Sequence, residues 1–473
     1  MDPDKAGNFT CAALPSIWTH FTNTMADHPE YMTNDSINTF LKKNVDKFLT
    51  SIGVVIPKLP TDPRKRASVL KKGRMKPELI AKYVSFLEKF NEAKFLEGTE
   101  RIIDSGAFSM QVGYFDRSEI PQFVDLYHNE FLKKQSHNFD YAFLFDVVPG
   151  AKECPFHSFQ DMHSLADESY KAASELPSDV RKKLIYVHHF RTPNINTSYK
   201  KLLPKYGGAF ENFATGGLVS FSRTGKVPPY IMYAVPLMHI IQHARQRNLK
   251  KFRFHVLGGS EWKEIVGHKF FERHIKEIFD IDVQITFDSS TLFKTLCLGR
   301  YTFQVDFDQR KISKLSLRSD SKHNYVGIPG SDRFNDKTNE QVFCDLVNEA
   351  VVPSGMKALS LDDVDLYEGL IDSDADDADV GFASEHLATK GRMSRLTYTY
   401  GMLQLLRLFR ICEGWCEDSV DNLYPLFQNY SNFNAGKLGR EIDQLMIMLN
   451  GGETMSDSLM KYRAMTIHNS LQM

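Results

Sequence analysis

Along the middle of this chain, short apolar runs repeatedly end in a carboxylate, a histidine or paired glycines. The runs close on Asp104-Ser105-Gly106-Ala107-Phe108, on Phe143-Leu144-Phe145-Asp146, on Val187-His188-His189, on Thr215-Gly216-Gly217-Leu218, on Val256-Leu257-Gly258-Gly259 and on Phe287-Asp288-Ser289. Between them lie amphipathic stretches of helical period at 119–133, 156–176, 230–247 and 264–279. Strands that alternate with helices predict a parallel sheet, because a parallel connection needs a crossover long enough to hold a helix. The polar and glycine residues fall at the carboxyl ends of the runs, where a (β/α)8 barrel of the α/β class builds its active site. A doubly wound open sheet is the competing architecture. It calls for a phosphate-binding glycine-rich turn after the first strand, and none is legible here.

Asp104 and Asp288 are the most informative of these strand ends. Two carboxylates raised on separate strands can face one another only across a shared pocket. Such a pair suits cleavage of a glycosidic bond, in which one carboxylate attacks or shields an oxocarbenium-like carbon and the other moves a proton. A single strand-terminal Asp can equally cap the turn that follows it.

In this order, the segments resemble the tRNA-guanine transglycosylase superfamily. The family pattern is a nucleobase loop like Asp-Ser-Gly-Gly-Phe, a second Asp, a Gly-Gly-Leu loop, an apolar-Gly-x-Gly loop and a Phe-Asp nucleophile. The counterparts here are Asp104-Ser105-Gly106-Ala107-Phe108, Phe145-Asp146, Gly216-Gly217-Leu218, Leu257-Gly258-Gly259 and Phe287-Asp288. The likeness covers roughly residues 95 to 300. The fourth match is approximate, its glycines being adjacent.

The departures are equally informative. The tRNA enzymes of the family carry a Cys-x-Cys-x-x-Cys zinc subdomain with a distal His after the nucleophile. Here Cys297 stands alone, Cys344 is distant, and Cys412 and Cys416 sit four apart on an apolar helical stretch. Two thiolates do not close a tetrahedral site, so core cysteines are the simpler reading and no zinc subdomain is expected. His188-His189 stands where the family has a Gln, and no Pro-Thr-Arg follows Asp288. These features are most similar to the phage-type 7-deazaguanine DNA transglycosylases.

The resemblance implies base exchange: guanine in DNA replaced by a free 7-deazaguanine (preQ0-like) base, with no cofactor. By the same resemblance Asp288 is the nucleophile and Asp104 the general acid and base. Ser105, Gly106, Phe108, Asp146, His188 or His189, Gly216, Gly217, Leu218, Leu257 and Gly258 form the base pocket. Asp146 suits the N–H donor edge of a guanine-type base, and the glycines allow close approach. A tRNA acceptor, or a non-catalytic nucleic-acid-binding barrel, remain the alternatives.

Composition agrees with a folded protein in a reducing compartment. The 473 residues are 42% hydrophobic, the six cysteines follow no framework spacing, and no apolar run reaches spanning length. A cytoplasmic protein is expected, in the host cytoplasm if phage-encoded. The net charge of −1 gives no global attraction to nucleic acid, so local patches must supply it. Arg64, Lys65, Arg66, Lys71, Lys72, Arg74 and Lys76 form one such patch, read as a phosphate-contacting loop or a solvated charge run. The basic residues of 245–253 suit a helix end. Three regions are expected. Residues 1–95 hold a helical segment, the basic loop and a first strand near 52–56. Residues 96–300 hold the barrel. Residues 301–473 hold a hairpin at 301–317, an acidic linker at 372–379 and a helical carboxyl-terminal region.

Overall fold

A computed structural model of the protein describes residues 9–11, 14–91, 97–106, 114, 116–146, 159–189, 203–216, 234–258, 264–288, 296, 301–306, 311–317, 333–364 and 394–418. The strands are β1 (Phe9–Thr10), β2 (Lys47–Ser51), β3 (Glu100–Asp104), β4 (Tyr141–Phe143), β5 (Leu184–His189), β6 (Asn212–Gly216), β7 (Lys251–Val256), β8 (Asp282–Asp288), β9 (Tyr301–Asp306) and β10 (Lys311–Ser316). The main helices are α1 (Leu14–Asp27), α2 (Asn34–Asn44), α3 (Pro63–Lys72), α4 (Pro77–Asn91), α5 (Ile120–Asp125), α6 (Phe159–Ser174), α7 (Ala234–Gln246), α8 (Glu264–Phe279), α9 (Asn339–Val351) and α10 (Arg395–Asp418). Among the described residues, no helix is long and apolar enough to cross a membrane.

The described residues fall into two compact units. One draws on Met1–Asp46, Ser260–Phe270 and Ser289–Gln444, the other on Lys47–Gly259 and Phe271–Asp288. An eight-stranded sheet is the centre of the fold, and seven of its strands, β2 to β8, lie in the second unit. They are hydrogen-bonded in sequence order, each parallel to the next. Helices separate successive strands, as the parallel crossovers require.

The sheet is rolled rather than flat. β3 and β7 are four places apart in the strand order, a separation of roughly 19 Å in a flat sheet. Yet Arg253 of β7 donates to Glu100 of β3 at 2.7 Å, and the ring of Phe143 on β4 lies 4.8 Å from that of His255 on β7. These contacts fit only a curled sheet whose inward side chains meet across the interior. The architecture is therefore a (β/α)8-type barrel of the α/β class.

Strand alternation then defines the inward face. Glu100, Ile102 and Asp104 share one side of β3, Arg253 and His255 one side of β7, and Gln284, Thr286 and Asp288 one side of β8. The amino-terminal end of the barrel is filled by Glu100, Arg253, Gln284 and Tyr141. Arg253 also reaches Gln284 at 2.8 Å and stacks 3.9 Å over the Tyr141 ring. The opposite end carries Asp104 and Asp288.

Two local expectations are corrected. The first strand is Lys47–Ser51, and Ile52–Val55 is a 3-10 turn instead, started by the Ser51 hydroxyl accepting from Gly53 N. The basic run is not a loop. Pro63–Lys72 is helical because Asp62 caps Arg64 N and Lys65 N, with Pro63 preset for the first turn. Between β3 and β4, α5 continues into a π-helical segment, Leu126–Leu132, whose Tyr127 hydroxyl donates to the Phe143 carbonyl at 2.7 Å.

In the other unit, β9 and β10 form an antiparallel hairpin, Tyr301 opposite Ser316. The long α10 buries Leu403, Leu405, Leu406 and Phe409; Phe9 stacks on Phe409 at 3.9 Å and donates its N–H to Glu413. Residues 372–379, read as an acidic linker, and the carboxyl-terminal region beyond residue 418 lie outside the described residues.

Candidate active site

β3 delivers the first carboxylate. Ile102 and Ile103 are fully buried and fix the strand, so Asp104 emerges at its carboxyl end, half-buried. Ser51, its register partner on β2, hydrogen-bonds the carboxylate, and Gly106 N donates to Oδ2 at 3.3 Å. Gly106 holds φ at +82°, and a Cβ there would stand 3.1 Å from Gly53 N. Both the backbone angle and the close approach therefore demand glycine. Ser105 is fully buried and donates its hydroxyl to Asp146 Oδ1 at 3.0 Å, so the ends of β3 and β4 are tied together. Asp146 itself is buried.

β8 delivers the opposing carboxylate. Thr286 and Asp288 follow one another on the inward side, and His255 of β7 bridges them. Its Nδ1 lies 2.8 Å from Thr286 Oγ1, and its Nε2 lies 3.1 Å from Asp288 Oδ1. Gly258 N donates to the same Oδ1 at 3.0 Å. Among the described residues, both contacts thus fall on one oxygen of Asp288. His255 is wholly buried, whereas the Asp288 side chain is 17% exposed and so meets the barrel mouth.

The charges interact. Burial pushes the Asp104 carboxyl up to about 7. The Ser51 hydrogen bond opposes that rise, the negative charges of Asp146 and Asp288 add to it, and the Gly106 N–H offsets a part. Near neutral pH, Asp104 therefore exchanges a proton readily beside two further carboxylates. An acid of that strength is poised both to give and to accept a proton. Among the described residues, no group of three His, Cys, Asp or Glu side chains could hold a metal ion.

Asp104, Ser105, Gly106, Asp146, Gly258 and Asp288 are thus joined in one hydrogen-bonded and electrostatic set. Gly216 closes β6 and is buried, and Leu257 N donates to Thr215 O at 2.8 Å, which places the turn carrying Gly258. His188 and His189 are described in their backbone, at the end of β5, where they pair with Thr215 and Gly216. Phe108, Gly217 and Leu218 lie outside the described residues. Cys412 is buried on α10, as a core cysteine would be.

The basic residues divide into two groups. Arg64, Lys65, Lys71, Lys72 and Lys76 are exposed. Arg74 is not a free cation. It pairs with Glu119 at 2.7 Å and donates to the carbonyls of Pro57 and Tyr114, with a side chain only 10% exposed. Arg66 pairs with Asp116 at 3.1 Å. These two arginines staple the segments after β2 and β3 to each other.

His255 is the site residue that the sequence did not single out. A lone His inside the apolar run Phe254–Val256 reads as core. The signal was its place two residues before Leu257, on the same strand face, beside the strand that bears Asp288. No protein-family model matches the chain, and no curated protein matches it.

Proposed function

We propose that the barrel mouth is a base-exchange transglycosylase site, replacing guanine in DNA with a 7-deazaguanine (preQ0-like) base through a covalent Asp288 intermediate. The observation that carries this reading is the asymmetry of Asp288. Among the described residues, His255 Nε2 and Gly258 N both meet Oδ1, none is seen to bond Oδ2, and a protonatable Asp104 lies within electrostatic reach.

The chemistry runs in two halves. Asp288 Oδ2 attacks C1′ of the target nucleotide, forming an ester bond as the bond to the purine nitrogen breaks. The departing electron pair takes the proton held by Asp104. The carboxylate so formed then removes a proton from the incoming base, whose nitrogen attacks C1′ and releases Asp288. Two displacements retain configuration at C1′.

Charge supports the choice of substrate. The acidic groups of Asp104, Asp146 and Asp288, grouped at one end of the barrel, disfavour phosphate and suit a neutral ring with an N–H edge, which guanine and 7-deazaguanines present. The phosphate backbone must then be held elsewhere, and the exposed cations of α3 are suited to it. A duplex target nucleotide would leave its stack to reach C1′.

Exchange of labelled guanine into DNA and into tRNA, with Asp288→Ala as control, tests the reading. Exchange into DNA that Asp288→Ala abolishes is expected. Faster exchange into tRNA at equal ionic strength would move the acceptor to RNA. No exchange into either would leave a non-catalytic barrel.

A further inference from the structure

We infer that His255 is a positioning residue for Asp288: a neutral imidazole that donates Nε2–H to Oδ1 and thereby turns Oδ2 toward the substrate. The inference rests on the reading of Asp288 as nucleophile, and it assigns a tautomer and a positioning role to His255, which that reading uses only as a contact of Oδ1.

For a neutral ring beside an ionised Asp288, the hydrogen positions follow from the two contacts. Asp288 is a carboxylate when it attacks, so it can only accept, and Nε2 at 3.1 Å must be the donor. In a neutral ring Nδ1 is then the acceptor, and the Thr286 hydroxyl at 2.8 Å is the donor that fills it. Thr286 is fully buried and can rotate its hydrogen into this bond. The ring is wedged by Phe143, edge-on with centroids 4.8 Å apart, and is closed off from solvent.

Gly258 N, in the turn that follows β7, donates to the same oxygen at 3.0 Å. Two donors on one oxygen define the carboxylate plane. The direction of the second oxygen follows from that plane. Holding a nucleophile in the reacting geometry is worth far more than its hydrogen bonds alone, since small misplacements slow attack steeply. Neither His255 nor Thr286 needs to touch the substrate for this.

The test compares His255→Phe, His255→Gln and Thr286→Val in the full-length chain, with labelled-guanine exchange as the assay. Phe keeps the buried ring against Phe143 without the donor, and Gln restores an N–H near the position of Nε2. We expect His255→Phe to lower kcat by about 10- to 100-fold at nearly unchanged KM. His255→Gln should regain most of that loss, and Thr286→Val should fall between. A folded His255→Phe, or a Thr286→Val if the former does not fold, that exchanges at the wild-type rate would overturn the inference. Nitrogen-15 NMR of histidine-labelled protein at pH 7.5 supplies a readout independent of activity. The Nε2–H tautomer is expected for His255; an Nδ1–H tautomer or a doubly protonated ring would overturn it. If the wild type exchanges no base, the nucleophile reading fails and this positioning role with it, while the tautomer still decides the hydrogen-bond assignment.

Discussion

Arg253 of β7 and Glu100 of β3 are joined by paired hydrogen bonds across the barrel interior, with three strands between them in the sheet. Both are almost fully buried, and the guanidinium also meets Gln284 and the face of Tyr141. The end of the barrel opposite the carboxylates is therefore closed by a polar cluster rather than by aliphatic packing.

Removing one partner of this pair leaves the other as an uncompensated buried charge. Arg253→Ala or Glu100→Ala should each destabilise the fold by about 3–5 kcal/mol in chemical denaturation. Removing both should cost clearly less than the sum, because the stranded charge disappears with its partner. Strict additivity would show that the two groups are not coupled.

The proton of Asp104 has a consequence for stability with a definite sign. Its carboxyl rises from the ordinary 3.8 to about 7 in the folded protein. Between these values the folded state binds more protons than the unfolded state, so stability falls as pH rises. The penalty is absent below about pH 4 and complete above about pH 7. Asp104→Asn removes it while keeping the shape of the side chain. The variant should be more stable than wild type by about 1–3 kcal/mol at pH 8, with the difference vanishing near pH 4. Thermal unfolding at the two pH values measures this directly. A variant equally stable at both, or less stable at pH 8, would contradict the burial and charge argument.

Much of the barrel is legible because its elements obey simple periods. Helical spacing over 264–279 coincides with α8, and the apolar runs ending at His189, Gly216 and Asp288 coincide with the ends of β5, β6 and β8. The first strand is harder, since the apolar character of 48–56 continues past Ser51 into a 3-10 turn. Apolar content cannot mark that change, although the Ser51-x-Gly53 turn chemistry does. Helix α3 is hidden under its charges, yet Asp62-Pro63 is a start signal that outweighs them. The remaining features lie in register. Arg74 looks free until it meets Glu119, and His255 looks like core until β8 brings Asp288 beside it. Likewise the proton affinity of Asp104 depends on Asp146 and Asp288, which only folding brings near.

The division among the basic residues makes the proposed nucleic-acid surface testable. Neutralising Arg64, Lys65, Lys71 and Lys72 together should weaken DNA binding and flatten its salt dependence by about 0.9 per lost phosphate contact on duplex. Arg74→Ala should instead lower stability by breaking the Glu119 pair, with the salt slope unchanged. Binding isotherms over a salt series, read with denaturation curves, separate the two. A flattened slope for Arg74→Ala without loss of stability would reverse these assignments.

The covalent step is the centre of the account, and trapping it is the most direct measurement. Protein incubated with guanine-containing DNA and without added base should form a denaturation-resistant complex. Digestion and mass spectrometry should then locate a deoxyribosyl ester on Asp288. Asp288→Asn should form none, and adding free guanine to the wild-type complex should discharge it. An adduct on another residue, or exchange that proceeds with no adduct in a rapidly quenched reaction, would contradict the assignment of Asp288 as the nucleophile.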